Sequence, residues 1–168
     1  MEAYVGEEDR ASHARMGRTP RNLVMYGPPG IAYVYLVYGM HHCLNVVTEP
    51  LGRPAALLVR AVEPLEGVDS MQAARRLRRA ATTVIPEARL AAGPGLVCAA
   101  FDIDRTVTGA DLCDSASPVR LERRPSRTPA PDVTACPRVG VGYAGEPWAS
   151  LPWRFLLPGS PSLSRSGS

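Results

Sequence analysis

Most of the side chains that could perform chemistry lie in the first forty residues of the chain. The titratable and aromatic candidates there are Glu2, Tyr4, His13, Tyr33, Tyr35 and Tyr38. A carboxylate can act as a general base, and several aromatic rings beside it suit a slot for a flat ring. For any single tyrosine, ordinary core packing with a locally bonded hydroxyl is the alternative interpretation. The pattern therefore predicts either a binding slot or part of the core.

Alternation along a strand separates the tyrosines. If residues 31–38 form a strand, Tyr33 and Tyr35 lie on one face, and Tyr38 lies on the other face or at the strand end. One pair can then line a pocket while the third ring projects from the following turn.

The sequence Gly140-Val141-Gly142-Tyr143-Ala144-Gly145 matches the G-x-G-x-x-G pattern of dinucleotide-binding turns, which would favour an oxidoreductase. The context argues against this interpretation. Pro147 follows almost at once, and no acidic residue lies about twenty positions further on to bind a ribose. We expect these glycines to allow backbone to approach backbone or a ligand closely.

Metal, disulfide and lysine chemistry are disfavoured. The four cysteines, Cys43, Cys98, Cys113 and Cys136, include no C-x-x-C pair, so we expect reduced thiols and no zinc site. The adjacent His41 and His42 would point to opposite faces of a strand and make a poor chelating pair. All nineteen basic residues are arginines, which excludes Schiff-base chemistry at a lysine side chain.

The elements that must position these residues follow from turn signals and apolar runs. We predict three strands, then a helix capped by Asp69 or Ser70 with a solvated basic face formed by Arg75, Arg76, Arg78 and Arg79. The strands are expected over Ile31–Tyr38, Cys43–Thr48 and Ala55–Val62, and this helix over Met71–Ala81.

Further elements are shorter. A helical stretch opens at Pro86-Glu87 and ends at Gly93-Pro94-Gly95, Leu96–Phe101 predicts a buried helix, and Val119–Arg124 could form an edge strand. Pro125–Pro131 is expected to be a loop. Because strands precede helices instead of alternating with them, we expect an α+β fold, a single mixed domain with a curved, largely antiparallel sheet and flanking helices.

Composition agrees with one globular domain. The chain has 168 residues, 45% of them apolar and 21% charged, and a net charge of +3 that permits an anionic partner. The first ten residues contain no apolar stretch typical of a signal peptide or membrane anchor, so we expect a cytoplasmic protein. A domain over 1–161 and a disordered tail over 162–168 are expected.

Read together, the short motifs match a known family. In chain order they are Glu2-Ala3-Tyr4, His13, Thr19-Pro20-Arg21-Asn22, Tyr33 to Met40, Cys43-Leu44-Asn45, Leu57 to Gly67, Gly93-Pro94, Arg138 to Gly142 and Arg154-Phe155. In order and spacing they closely resemble the alkyladenine (3-methyladenine) DNA glycosylase family, the single-domain mammalian type. The resemblance covers nearly the whole chain.

The resemblance implies a monofunctional enzyme of base-excision repair. Such an enzyme flips alkylated or deaminated purines out of double-stranded DNA and hydrolyses the N-glycosidic bond, without a cofactor or a metal. It also implies that Glu2 is the general base, that Arg60 holds the water and the carboxylate, and that the carbonyl of Val139 is a third anchor.

Other residues take roles only through the same resemblance. Tyr4, His13 and Tyr35 would sandwich the flipped base, and Tyr38 would fill the space that it vacates. Asn45 and Leu58 would disfavour guanine by crowding its exocyclic amine, while the backbone amide of His13 would read the base edge. Arg18 and Arg21 would contact the DNA backbone, although a solvated surface is the alternative for both. We expect a monomer, associated with the nucleoid or the nucleus.

One departure from the family affects the expected activity. The family normally has a further stretch, including a strand, before the catalytic glutamate, whereas here the glutamate is residue 2. We therefore expect a truncated reading frame. Because chain termini fray unless they are held, we also expect a poorly positioned Glu2 and an open sheet edge. A weak or inactive module that binds damaged DNA is therefore the alternative function.

Overall fold

Stretches rich in β-branched and aromatic residues form the strands of the computed structural model, which describes residues 1–78 and 83–163. The strands are β1 (Glu2–Val5), β2 (Ala32–Val37), β3 (His41–Val47), β4 (Ala55–Leu58), β5 (Thr134–Cys136) and β6 (Arg154–Leu156). The α-helices are α1 (Val68–Leu77), α2 (Glu87–Leu90) and α3 (Pro94–Ala100), and short 3-10 helices span Leu23–Tyr26, Arg105–Val107 and Gly142–Ala144.

The six strands form one sheet in the order β2-β3-β4-β1-β6-β5. Each neighbouring pair is antiparallel. The helices lie together in the middle of the chain and do not alternate with the strands. The predicted α+β class with a largely antiparallel sheet is therefore confirmed.

One face of the sheet packs against the helices. Alternate residues of β2 and β3 point to this face and join apolar side chains of all three α-helices. The buried cluster includes Val34, Leu44, Val46, Met71, Leu90, Val97, Ile103 and Leu112. Removal of this apolar surface from water is the main stabilising contribution to the fold.

The opposite face presents the polar candidates. Directly paired residues of an antiparallel sheet point to the same side. A single row of such pairs crosses all six strands and consists of Tyr33, Asn45, Leu58, Glu2, Arg154 and Cys136. We call this set the cross-strand row, and it places the predicted catalytic and pocket residues side by side.

The position of β1 overturns two expectations. β1 lies between β4 and β6, and its first residue, Glu2, is paired on both sides, with Leu58 and with Arg154. The backbone of Met1 also exchanges hydrogen bonds with that of Phe155, at 2.8 and 2.9 Å. The expected fraying at Glu2 and the expected open sheet edge at β1 are both wrong.

Several predicted boundaries need correction. The third strand ends at Leu58 and not at Val62, and no strand forms over 119–124. The first helix begins earlier than predicted, at Val68, after Gly67 with φ of 72° as its N-cap residue. Positive φ favours glycine, which explains this start. The part of the predicted helix over 79–81 lies outside the described residues.

The basic surface predicted for α1 is only partly present. Arg75 is 4% exposed, and its guanidinium donates to the carbonyls of Arg89 and Leu90. This arginine therefore joins α1 to α2 instead of facing solvent. Arg79 and residues 164–168 lie outside the described part, and Ser162 is buried. None of the described helices is long and apolar enough to cross a membrane.

Candidate active site

Glu2 is a fully buried carboxylate held by three donors. Its Oε1 accepts a hydrogen bond from the backbone N–H of Val139 at 2.8 Å. Its Oε2 accepts from the hydroxyl of Tyr4 at 3.0 Å and from Nη1 of Arg60 at 3.2 Å. Buried charges need this kind of compensation, because an unpaired carboxylate away from water is very unfavourable. The sequence elements that supply these donors are β1, the chain after β4 and the chain after β5.

The Tyr4 hydroxyl remains protonated beside Glu2. Burial, followed by the adjacent Glu2 carboxylate, raises the pKa of the Tyr4 phenol above its usual value, so the hydroxyl keeps its proton and donates it. The side chain of Arg60 is 18% exposed. One edge of this ion pair is therefore accessible to water while the carboxylate is not.

A second cluster contains the three rings His13, Tyr33 and Tyr35. The centroid of the His13 ring lies 4.4 Å from that of Tyr35 in an edge-to-face arrangement. Tyr33 and Tyr35 share one strand face, as predicted, with centroids 5.6 Å apart. Nδ1 of His13 lies 3.0 Å from the hydroxyl of Tyr33, which is itself buried. Tyr33 thus combines core packing with support for the His13 ring.

These rings line a cavity of about 80 Å³ next to Glu2. Its lining includes Tyr4, His13, Tyr33, Tyr35, Asn45, Ala56 and Tyr143. Asn45 is buried and its amide donates to the backbone carbonyls of Tyr33 and Cys43. Leu58 lies in the cross-strand row between Asn45 and Glu2, while Ala56 lines the cavity. The structure therefore brings Tyr4, His13, Tyr35 and Asn45 together around this cavity, whereas Leu58 pairs with Glu2 but does not line the cavity.

Burial also determines the charge of this cavity. Burial, together with the nearby Arg21 and Arg15, lowers the pKa of His13 to about 4. Burial raises the pKa of Tyr35 above its usual value. At neutral pH the cavity is consequently lined by a neutral imidazole and neutral phenols.

Asn22 holds the loop that positions His13, a role that the sequence did not indicate. Its side-chain amide donates to the carbonyls of His13 at 2.8 Å and Gly17 at 2.9 Å. Its Oδ1 accepts from the N–H of Thr19 at 2.7 Å, and the residue is 1% exposed. Thr19 to Asn22 formed one of the motifs, so the signal was present without a function attached to it.

A buried ion pair beneath Glu2 was also missed. Arg138 donates to both carboxylate oxygens of Asp9, at 2.6 and 3.0 Å, and to the carbonyls of Ala3 and Trp148. Its guanidinium lies over the ring of Tyr4, 4.7 Å from the centroid. Because 129 residues separate the two partners in sequence, no local pattern could have paired them.

The predicted DNA-facing residues occupy different places. Tyr38 is 88% exposed at the turn between β2 and β3, where its φ is 52°. Arg21 is exposed and its guanidinium lies 5.8 Å from the centroid of the Tyr35 ring. Arg18 is exposed too, but it packs over Tyr26 at 4.6 Å instead.

The glycine-rich turn has a different purpose from those predicted. Residues 142–144 form a single 3-10 turn and not a long helix after a parallel strand, so the dinucleotide-binding geometry is absent from this described segment. Close approach by other protein atoms does not explain the glycines, because a Cβ at Gly140, Gly142 or Gly145 would meet nothing within 4 Å. Gly140 and Gly145 instead have φ of 72° and 68°. These two glycines shape the turn that begins at Val139 and so help to position the N–H of Val139.

The histidine pair forms no cluster with other ligand side chains. His41 and His42 are adjacent on β3, where neighbouring side chains alternate in direction. Within residues 1–78 and 83–163, no group of three or more His, Cys, Asp or Glu side chains is arranged to hold a metal ion.

Comparison with known proteins gives the family. A family model described as methylpurine-DNA glycosylase matches residues 1–161. A relative from Methanocella arvoryzae is 48% identical, over 98% of this chain and 76% of its own length. The human and mouse proteins named DNA-3-methyladenine glycosylase are 45% and 44% identical over 97% of this chain, which spans 54% and 49% of their lengths. The chain therefore belongs to the methylpurine-DNA glycosylase family.

Proposed function

We propose that this protein is a DNA repair glycosylase that hydrolyses the N-glycosidic bond of alkylated or deaminated purines in double-stranded DNA. The observation that supports this most directly is the buried Glu2 carboxylate, held by three donors on the border of an aromatic cavity. Family membership and the names of the human and mouse relatives point to the same reaction.

The reaction needs an activated water and a good leaving group. Water attacks C1′ of the sugar, its proton passes to Glu2, and its oxygen forms the new bond to C1′. The bond from C1′ to the base nitrogen breaks, and its electron pair leaves with the base. Positive charge develops on the sugar in the transition state, and the nearby carboxylate stabilises it. Glu2 thus acts as general base and as electrostatic stabiliser.

Arg60 and Val139 keep this carboxylate in place. Arg60 fixes Oε2, and the accessible edge of its side chain is where we expect the water to bind. The N–H of Val139 fixes Oε1. In this proposal the carbonyl of the same residue is the third anchor of the water, next to the carboxylate that its N–H holds.

Base flipping brings the damaged purine into the aromatic cavity. Tyr4, His13 and Tyr35 stack on the base, and such stacking contributes about 1–3 kcal/mol per base. Many alkylated purines are cationic and electron-poor, so a neutral imidazole is preferable to a charged one. The low pKa of His13, about 4, provides this at neutral pH. The backbone amide of His13 reads the base edge, and Asn45 and Leu58 reject guanine by crowding its exocyclic amine.

Residues outside the cavity handle the duplex. Tyr38 inserts into the space that the flipped base leaves, and its exposure of 88% at a turn suits a wedge. Arg21 and Arg18 bind the phosphate backbone, and the position of Arg21 beside Tyr35 favours a phosphate next to the lesion. We propose that the enzyme acts as a monomer, in the nucleoid or the nucleus, according to the organism.

A lyase step is not part of this proposal. Lyase-type glycosylases use an amine nucleophile, commonly a lysine, and the chain contains no lysine. We therefore propose a monofunctional hydrolase. The alternative, a module that binds damage without cutting it, depended on a poorly held Glu2. Full burial and three hydrogen bonds at Glu2 remove that reason.

The test is single-turnover excision from a duplex with one hypoxanthine or ethenoadenine. We expect free base to be released by the protein and at least about 100-fold more slowly by Glu2→Gln, the usual lower range for a general base. Glu66→Gln, the same change at an exposed glutamate, is the control and should excise normally. Circular dichroism melts of all three proteins show whether they fold. No release by the folded protein, or equal rates with Glu2→Gln, would refute the proposal.

A further inference from the structure

The positive charge of this protein is concentrated in one segment. The whole chain has 19 arginines and 16 acidic residues, a net charge of +3. Residues 118–131, which we call the basic segment, contain four arginines and one acidic residue, also a net of +3. The remaining residues are balanced, at 15 of each sign. Any long-range attraction between this protein and a polyanion therefore acts mainly through the basic segment.

The segment is exposed and extended. Every residue over 120–135 is exposed, and 118–131 forms neither a helix nor a strand. Its four prolines, Pro118, Pro125, Pro129 and Pro131, restrict the backbone, which reduces the entropy lost when the segment binds a partner. One turn is ordered, because the N–H of Thr128 donates to the carbonyl of Pro125 at 2.9 Å.

Its arginines remain available for a ligand. Arg120 pairs with Glu122 at 3.4 Å, but both side chains are largely exposed, and such pairs contribute only about 0–1 kcal/mol. Arg124 donates to the carbonyl of Pro129 at 3.2 Å. Arg123 and Arg127 contact no acidic side chain within the described part of the chain.

The segment is held to the rest of the fold at both ends. The N–H of Leu121 donates to the carbonyl of Leu112 at 2.7 Å, and β5 begins at Thr134. In β5, Cys136 belongs to the cross-strand row two strands from Glu2. Nine residues of extended chain span at most about 30 Å, so Arg127 lies within about that distance of Cys136. One turn of B-DNA measures about 34–36 Å, a comparable distance.

We propose that the basic segment binds the phosphate backbone of double-stranded DNA away from the lesion and contributes affinity that is independent of sequence and damage. This inference rests on the proposed function in taking DNA as the substrate. Duplex DNA has one negative charge per about 1.7 Å of axis, so four arginines spread along an extended segment face several phosphates. Guanidinium groups pair with phosphate in two-point geometry.

The amino-acid composition of the segment also favours DNA over other anionic partners. The segment has only two apolar side chains of any size, Val119 and Leu121, which is too few to insert into a lipid surface. Val119 already packs against the helix-side core. An acidic polypeptide is the remaining alternative ligand, and polyglutamate represents it in the binding test.

The test is the salt dependence of binding to an undamaged duplex. Each phosphate contact changes the slope of log K against log salt by about 0.9, so replacing Arg123, Arg124 and Arg127 together by Gln should reduce the slope by about 2–3. The triple Lys variant keeps the charges and should keep the slope. Single-turnover excision at saturating enzyme should be unchanged in both, because the segment does not contact Glu2.

Other results would overturn the inference. It fails if the Gln variant keeps the slope of the original protein, if its excision rate at saturation falls, or if the original protein binds polyglutamate more tightly than the undamaged duplex and the Gln variant loses only the binding to polyglutamate. Failure of the proposed function looks different. In that case the original protein releases no base, whereas the loss of slope in the Gln variant would still support the segment as a DNA contact.

Discussion

Arg138 binds both carboxylate oxygens of Asp9, at 2.6 and 3.0 Å, and neither side chain is exposed. Asp9 also accepts from the N–H groups of Val5 and Ala11, so the pair joins the end of β1 to the loop that leads to His13. The residue after Arg138 is Val139, whose N–H holds Glu2. The ion pair therefore supports two of the three contacts of the Glu2 carboxylate, those from the Tyr4 hydroxyl and the Val139 N–H.

The first prediction concerns this pair. Asp9→Asn should destabilise the protein by about 3–5 kcal/mol, because it leaves a buried guanidinium without its counter-charge. Thermal and urea unfolding measure the change. Glu122→Gln breaks an exposed pair with Arg120 and is the control, with an expected effect of at most about 0.5 kcal/mol. Similar small effects for both variants would contradict the structural role of Asp9.

The second prediction concerns the Tyr4 hydroxyl. Tyr4→Phe keeps the stacking ring but removes a donor to Glu2 at 3.0 Å. Hydrogen bonds to charged groups contribute about 1.5–3 kcal/mol, so excision should slow by roughly 10- to 100-fold with little loss of lesion binding. Tyr143→Phe is the control, since it removes a hydroxyl that donates to the carbonyl of Ala11 in the same cavity. Equal rates for the two variants would exclude a role for the Tyr4 hydroxyl in the reaction.

The third prediction is a pH dependence of stability. The pKa of His13 is about 4 in the folded protein and about 6.5 in the unfolded chain. As pH falls from about 6.5 to about 4, the unfolded state binds a proton that the folded state does not, so stability decreases over this range. Above this pH range, the neutral His13 makes its full contribution to stability.

His13→Gln should make the decrease smaller. Urea unfolding at several pH values between 4 and 7 measures it for both proteins. His41→Gln, a change at an exposed histidine of β3, is the comparison and should leave the curve as it is. If His13→Gln leaves the pH dependence of stability unchanged, burial does not keep the His13 imidazole neutral in the folded protein.

The fourth prediction separates stability from function at Tyr38. A non-glycine residue with φ of 52° is strained by roughly 1–2 kcal/mol. Tyr38→Gly should therefore be more stable than Tyr38→Ala, while both lose the ring and with it the affinity for lesion DNA. Unfolding experiments and binding to an ethenoadenine duplex measure the two effects. If Tyr38→Ala binds the lesion duplex as tightly as the original protein, the ring is not the wedge.

Local sequence was sufficient for the central elements. Period-two alternation placed Tyr33 and Tyr35 on one face of β2, and the structure confirms it. The predicted buried helix over Leu96–Phe101 is present as α3, but it begins at Pro94 and ends at Ala100. The segment over 119–124 has Val119 as its one β-branched residue and lacks a strand partner in the described fold, so it remains extended without a ladder.

The sequence by itself determined the chemical inventory: a chain without lysine, two tyrosines on one strand face, and a set of short motifs. Only the tertiary structure decided how these groups meet. It placed Glu2 in the interior of the sheet, paired Asp9 with Arg138 and brought the N–H of Val139 to the carboxylate. These contacts join residues at least 56 positions apart, and local propensity contains no information about them, since only the closure of the whole fold brings their atoms within hydrogen-bonding distance.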